Sequence, residues 1–444
     1  TLRVISVCLG CSLFALPAIG QDLQLPASID PNSLAFNYYF QEAAPSPSDL
    51  RIESQSLDEL SQEFGRKELR RASRGKRQNR WTLEGFLDVG GTVNADSPTN
   101  RFNGPMTFND RNEFTVNQLY LSLGREADNG GCGFAWGARI DFLFGSDYFF
   151  TQSVGLELRD DGDNAWNGLT TGLGNPNLYG VAMPQAYVDI AHNRLNFRLG
   201  HFYTIMGYEG VAANSNFFYS HAYTMQYAEP FTHTGGLMSW SGDLLTLYAG
   251  VVNGWDNTDA LTDKMAFLGG FSYTPCDERY SLTFTVISGE EAGSSPPTSP
   301  RYAHSLVFDY HISSRLEYVF QHDFGQQQNA TGPGQTADWY GINQYLFYTL
   351  NDCWKVGARF EWFRDDNGTR LSSMYVRNAQ GIPAASMAGN YYNVTLGANW
   401  SPCGNIVVRP EVRWDWSDGT IVAPFDDLSK DSQMTAAIDA ILTF

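Results

Sequence analysis

The stretch "CWKVGARFEWFRDD" (353–366) repeats with a period of two. Val356, Ala358, Phe360 and Trp362 fall on one side, and Lys355, Arg359 and Glu361 fall on the other. Successive side chains of a β-strand point to opposite faces. This segment therefore reads as a long strand with one greasy face and one charged face. The pattern recurs in "GFAWGARIDFLFG" (133–145), where Phe134, Trp136, Ala138, Ile140, Phe142 and Phe144 oppose Arg139 and Asp141. It recurs again in "NIVVRPEVRWDW" (405–416), where Ile406, Val408, Pro410, Val412 and Trp414 oppose Arg409, Glu411, Arg413 and Asp415. A weaker copy, "RLEYVFQHDFG" (315–325), sets Leu316, Tyr318 and Phe320 against Glu317, Gln321 and Asp323.

A soluble sandwich also alternates, with its charged side in water. Three features favour a membrane barrel. The strands run to ten or more residues, which suits a tilted membrane strand better than a sandwich strand of about five or six. Aromatics gather near the band's ends, at Trp81, Tyr187, Trp240, Tyr273, Tyr280, Tyr310, Trp354, Trp400 and Phe444, as in an interfacial girdle. Short polar connections ("AHNR", "SGD", "HISSR", "LNDC") alternate with long ones such as 146–182, 204–230 and 364–389. That alternation is the mark of an up-and-down barrel with a turn side and a loop side.

These segments predict an all-β fold: a single transmembrane antiparallel up-and-down β-barrel of about sixteen strands, spanning residues 81–444. Among the expected strands are 184–191, 279–288 and 302–312. The chain ends on "MTAAIDAILTF" (434–444), a two-faced strand with an aromatic last. In hydrocarbon each unpaired backbone group costs several kcal/mol. The last strand must therefore seal against the first, "WTLEGFLDVGGTVN" (81–94), with Met434 to Leu442 toward lipid. Phe444 is expected in the periplasmic girdle and as an assembly signal.

The first eighty residues differ from the rest. "VISVCLGCSLFALPAIG" (4–20) reads as a secretory signal cleaved after Gly20, and Thr1 in place of Met implies a shortened basic leader. Residues 21–80 read as a linker with a short charged helix, Ser56 and Glu59 being spaced as a capping box. Its basic run (Arg66, Lys67, Arg70, Arg71, Arg74) is either solvated or a contact for an anionic surface. This part holds 10 basic and 9 acidic residues; the remainder holds 19 and 39 of the chain's 29 and 48. So acidic a body excludes nucleic acid as its partner.

Four cysteines follow the signal: Cys132, Cys276, Cys353 and Cys403. None forms a C-x-x-C pair, which argues against zinc. All fall in short turns, and pairing is left open. "RDDGDN" (159–164) offers Asp160, Asp161 and Asp163 as a weak calcium candidate without EF-hand spacing. No other metal and no cofactor is expected. The seven histidines show no metal spacing and read as girdle or loop residues. No catalytic fingerprint appears. A Ser220, His221, His233 set is the nearest approach to one, and the adjacent pair would point opposite ways on a strand.

The block from Leu199 to Asp256 includes "LGHFYTIMGYEG" (199–210), "NFFYSHAYTMQYAEPFTHTG" (216–235) and "VVNGWDN" (251–257). With "WYGINQYLFYTL" (339–350) it resembles the OmpL-like family of bacterial outer-membrane β-barrel porins. The resemblance implies a pore former of the outer membrane and carries over no catalytic set. The expected wall residues are Asp88, Arg139, Asp141, Asp189, Arg198, Glu317, Lys355, Arg359, Glu361, Arg409, Glu411, Arg413 and Asp439, facing a water-filled lumen. The other reading of these charges is a set of solvated pairs that do little. "FFYS" and "TMQY" are too apolar for a free loop, so residues 204–230 either fold inward or pack on the rim.

The function expected is passive diffusion of small hydrophilic solutes or ions after export. The partners expected are outer-membrane lipid, the barrel-assembly machinery and, by analogy, two further copies in a homotrimer. The rival readings are a loop-plugged barrel used as scaffold or adhesin, and a soluble β-rich binding protein.

Overall fold

The computed structural model describes residues 80–99, 103–105, 113–158, 166–167, 179–292, 298–374 and 387–444. The expected signal and linker, together with Asp160, Asp161 and Asp163, lie outside the described residues, save Arg80. Sixteen strands follow one another in the chain. They are β1 (Thr82–Asn94), β2 (Phe114–Arg125), β3 (Phe134–Gly145), β4 (Gly180–His192), β5 (Leu195–Tyr203), β6 (Thr232–Ser241), β7 (Leu245–Val252) and β8 (Ala266–Tyr273). The second half comprises β9 (Tyr280–Ala292), β10 (Thr298–His311), β11 (Leu316–Gln327), β12 (Ala337–Asn351), β13 (Trp354–Asp365), β14 (Gly389–Cys403), β15 (Ile406–Asp418) and β16 (Ser432–Thr443).

Each strand pairs with its neighbours in sequence, and β1 pairs with β16 to close the barrel. That seam runs antiparallel from Phe86 opposite Thr443 to Asn94 opposite Thr435. The final residue is part of it. Gly85 donates its N–H to the Phe444 carbonyl and Phe444 donates back to Gly85, each at 2.9 Å. No frayed end is left to expose polar backbone to lipid.

The alternation read from sequence is the alternation of the wall. Phe134, Trp136, Phe142 and Phe144 are exposed on the outside of β3, while Asp141 is buried inside. Met434, Ile438 and Leu442 are likewise outward on β16, and Asp439 is inward and buried. At the short-turn end the girdle takes the form of ring pairs, Trp354 with Trp400 and Tyr273 with Tyr280, their centroids 6.0 and 6.2 Å apart. Tyr187 corrects the expected girdle. It pairs with inward-facing Arg139 across β3 and β4, and the Arg198 guanidinium lies 3.8 Å above its ring. A phenol stacked under an arginine faces the interior, not the interface.

The bounds differ from expectation in β4, which starts at Gly180, and in the hairpin of β9 and β10, which runs on to Ala292 and back from Thr298. The polar residues there, including Glu290, Glu291 and Arg301, keep strand pairing. Backbone pairing needs no apolar face once the strand has left the bilayer. The four cysteines are free, exposed and at short turns. Among the described residues no helix is long and apolar enough to cross a membrane.

Candidate functional site

All thirteen expected wall residues sit at inward positions of their strands. They do not form the open charged row that the sequence suggested, for all except Arg139 are buried. The physical reason is the connection from β5 to β6. Residues 204–231 do not run along the rim. They lie inside the barrel, and 221–231 are buried without exception.

An irregular backbone away from water must find partners for its N–H and C=O groups. Here the wall charges supply them. Arg359 donates to the Ser220 carbonyl at 2.7 Å and to the Ser220 hydroxyl at 3.0 Å. Arg409 donates to the carbonyls of Ala213 (2.8 Å) and Asn216 (2.6 Å), and Arg413 to that of His221 (2.6 Å). The carboxylates take the N–H groups. Glu411 accepts from Tyr219 (2.9 Å) and Ser220 (3.2 Å), and Glu361 from Tyr223 (2.8 Å) and Thr224 (2.6 Å). Five charges of β13 and β15 thus form a cradle for one segment.

The segment brings its own charge into that cradle. Arg359 donates to Glu209 at 2.7 Å, Tyr345 donates to the same carboxylate at 3.0 Å, and His221 lies 3.6 Å from it. Burial pushes the Glu209 carboxyl up, but Arg359 and then His221 outweigh it and hold it at about 2, below the ordinary 4.5. Glu229, at the segment's far end, is the converse case. Burial and then the neighbouring Asp323 push it well above the carboxylate range, and Gln321 donates to it. Glu229 also fills the space where a side chain on Gly207 would stand, and Gly207 has a φ of +88° that only glycine adopts freely.

Apolar contacts complete the seat. Ile205, Met206, Tyr223 and Tyr227 of the segment share one cluster with Leu237, Leu268 and Ile287 of one wall and with Trp339, Phe363 and Tyr391 of the opposite wall. The segment therefore crosses the lumen. Trp339 anchors it by donating from its indole N–H to the Ala228 carbonyl at 3.2 Å.

The remaining wall charges pair along the wall. Arg198 makes a two-pronged contact with Asp189 at 2.9 and 2.8 Å. Arg139 pairs with Asp141 at 2.9 Å, and Tyr120 donates to Asp141 at 2.6 Å. Lys355 meets Glu317 at 2.9 Å. Asp88 accepts from Asn117 at 3.4 Å, and Asp439 pairs with Arg409. The candidate set omitted Glu209, Asp323 and Asp415. The last two share the inward parity of their strands and were legible as such. Glu209 sits in irregular chain, where no periodicity marks it.

The Ser220, His221, His233 set is not assembled. Ser220 is held by Arg359 and Glu411, while His233 bonds Gly254 and Thr204, each at 3.0 Å.

A closed sixteen-stranded barrel with an apolar outer belt, an ionic inner wall and a segment folded into its lumen defines the porin class of outer-membrane β-barrels. The chain belongs to the family described as Putative beta-barrel porin-2, OmpL-like, whose model matches residues 80–444. Among solved structures it is similar to an anion-selective porin from Comamonas acidovorans, at 10% identity and a TM-score of 0.53, with 82% of this chain and 99% of that one covered. It is similar to OmpT of Vibrio cholerae in its trimer form, at 11% identity and a TM-score of 0.51, covering 82% and 99%. It is also similar to the outer membrane channel DcaP of Acinetobacter baumannii, at 12% identity and a TM-score of 0.50, covering 83% and 99%. At these identities the likeness speaks for the fold alone. No curated protein compared with the sequence matches it. Family and fold point to a barrel without enzymatic chemistry.

Proposed function

We propose that this protein is an outer-membrane porin that passes small hydrophilic solutes or ions by passive diffusion, through a lumen narrowed by residues 204–231. The observation that carries this reading is the segment's ionic seat. Arg359, Glu361, Arg409, Glu411 and Arg413 fix an irregular chain across the lumen through backbone hydrogen bonds. A cradle that holds a constriction at a set depth suits a filter. Planar-bilayer recording tests it: purified protein should give discrete conductance steps, and their absence overturns the reading.

A second reading has its own support. The apolar cluster joining both walls through Tyr223 and Tyr227 favours a barrel plugged by its own loop and used as scaffold or adhesin. Solute uptake into liposomes separates the two, because only the porin lets sugars or ions in.

The rest of the proposal concerns the chain's path and company. Residues 1–20 serve as the export signal, 21–80 as a linker, and Phe444 as the mark read by the barrel-assembly machinery. The barrel sits in outer-membrane lipid and associates as a homotrimer. Light scattering on the detergent-extracted protein checks the last point, and a monomeric mass would refute it.

A further inference from the structure

Near the short-turn end of the inner wall, β10 and β11 bring three metal-ligating side chains together. Asp309 and His311 are two residues apart on β10 and so share the inward face. Glu317 of β11 is the direct cross-strand partner of His311. One ligand atom from each residue lies within 4.8 Å of the other two.

Two of these residues carry a buried atom with no partner. Asp309 is only 5% exposed, yet its Oδ1 has no hydrogen-bond partner, and neither has His311 Nε2. Asp141, Asp189 and Asp439, also inward, each rest on an arginine, and Asp88 and Asp323, which share a bare oxygen, each accept an amide hydrogen bond on the other oxygen. A buried carboxylate oxygen without a donor costs about 1–3 kcal/mol or more, so its retention needs a reason. Glu317 is half-engaged. Lys355 donates to its Oε2 at 2.9 Å, and Oε1 remains for a second partner. Two carboxyl groups thus face a single ammonium in the pocket.

We infer that Asp309, His311 and Glu317 form a binding site for a divalent transition-metal ion inside the barrel wall. One imidazole nitrogen and two carboxylate oxygens suit Zn²⁺, Mn²⁺ or Co²⁺ better than Ca²⁺, which prefers an all-oxygen shell. Oxygens and nitrogens about 2.0–2.2 Å from one ion lie at most about 4.4 Å apart, so a small side-chain rotation closes the set. Water completes the coordination, and Lys355 stays on the far oxygen of Glu317. The site adjoins the inserted segment, since Val307 and Val319, the next inward residues on β10 and β11, share a cluster with Phe218, and it does not depend on whether the barrel conducts.

The test is calorimetric titration of Zn²⁺ into the detergent-extracted full chain after stripping with a chelator. One saturable equivalent is expected. Asp309→Asn and His311→Gln should each weaken it by at least about 10-fold, while combined Asp160→Asn, Asp161→Asn and Asp163→Asn should leave it unchanged. No saturable binding overturns the site, as does wild-type affinity in both single variants or loss only in the triple variant. Should a single variant fail to fold, the wild type decides through Co²⁺. Visible absorption bands of a nitrogen- and oxygen-ligated ion, saturating at one equivalent and displaced by Zn²⁺, support the site, and a spectrum of free aqueous Co²⁺ refutes it.

Discussion

Arg359 carries more contacts to the inserted segment than any other residue described above, and its replacement is the sharpest single-residue test. It touches Glu209, the Ser220 carbonyl and the Ser220 hydroxyl at once. Arg359→Glu would set two carboxylates face to face and leave the Ser220 carbonyl bare. Breaking a buried ionic contact from one side costs about 3–5 kcal/mol, enough to undock the segment. The expected result is a larger conductance step and a reversal potential shifted toward cations. An unchanged reversal potential would remove Arg359 from the conducting wall. Acid should reach the same contact. Glu209 titrates at about 2 in place against 4.5 when free. A lowered folded-state pKa stabilises docking fully above about 4.5 and loses its effect as the pH falls toward 2. The amount at stake is on the order of 3 kcal/mol. Protection against hydrogen exchange within 204–231, taken relative to the intrinsic amide rate at each pH, should therefore fall below pH 4.5, and Glu209→Gln should flatten that fall. A pH-independent protection factor in the wild type would contradict the ionic latch.

At the scale of the element, the seam of β1 and β16 and the inserted segment fail in different ways. Removing Phe444 deletes both hydrogen bonds to Gly85 and opens the turn-side end of the seam where lipid offers no substitute. Folded yield in the membrane should fall, while the channels that do form should conduct as before. Normal yield would show that the seam closes without its last residue. Gly207→Ala strikes the segment instead. Its φ of +88° disfavours any side chain, and the added methyl would displace the Glu229 carboxyl. The expected cost is about 1–3 kcal/mol, read as faster exchange or proteolysis at 204–231 with the barrel's β-sheet circular dichroism intact. Strands were the legible elements here because their two-residue period survives any tertiary context. "GFAWGARIDFLFG" announces both of its faces, and even the added length of β9 and β10 changes only where pairing stops. The segment 204–231 has no period to read. Its apolar character was visible, but whether it lay inside or on the rim was left open.

Across the whole molecule, the apolar belt meets lipid and the ionic wall meets the segment. Replacing residues 210–228 by a short Gly-Ser linker should leave a folded barrel with higher conductance and weaker ion selection. A barrel that then fails to assemble would show that the cradle charges need their occupant, since Arg359, Arg409 and Arg413 would lose the carbonyls they now bind. The sequence by itself determined the closed barrel of about sixteen strands and the inward side of the charges that stand on its periodic strands. Those follow from side-chain parity and from the cost of bare backbone in hydrocarbon, both local rules. Only the tertiary structure decided that most of those charges are buried, and what buries them. Arg359 and Glu209 stand 150 positions apart, and a contact across a lumen is fixed by how the closed barrel shapes its interior, to which no repeat along the chain refers.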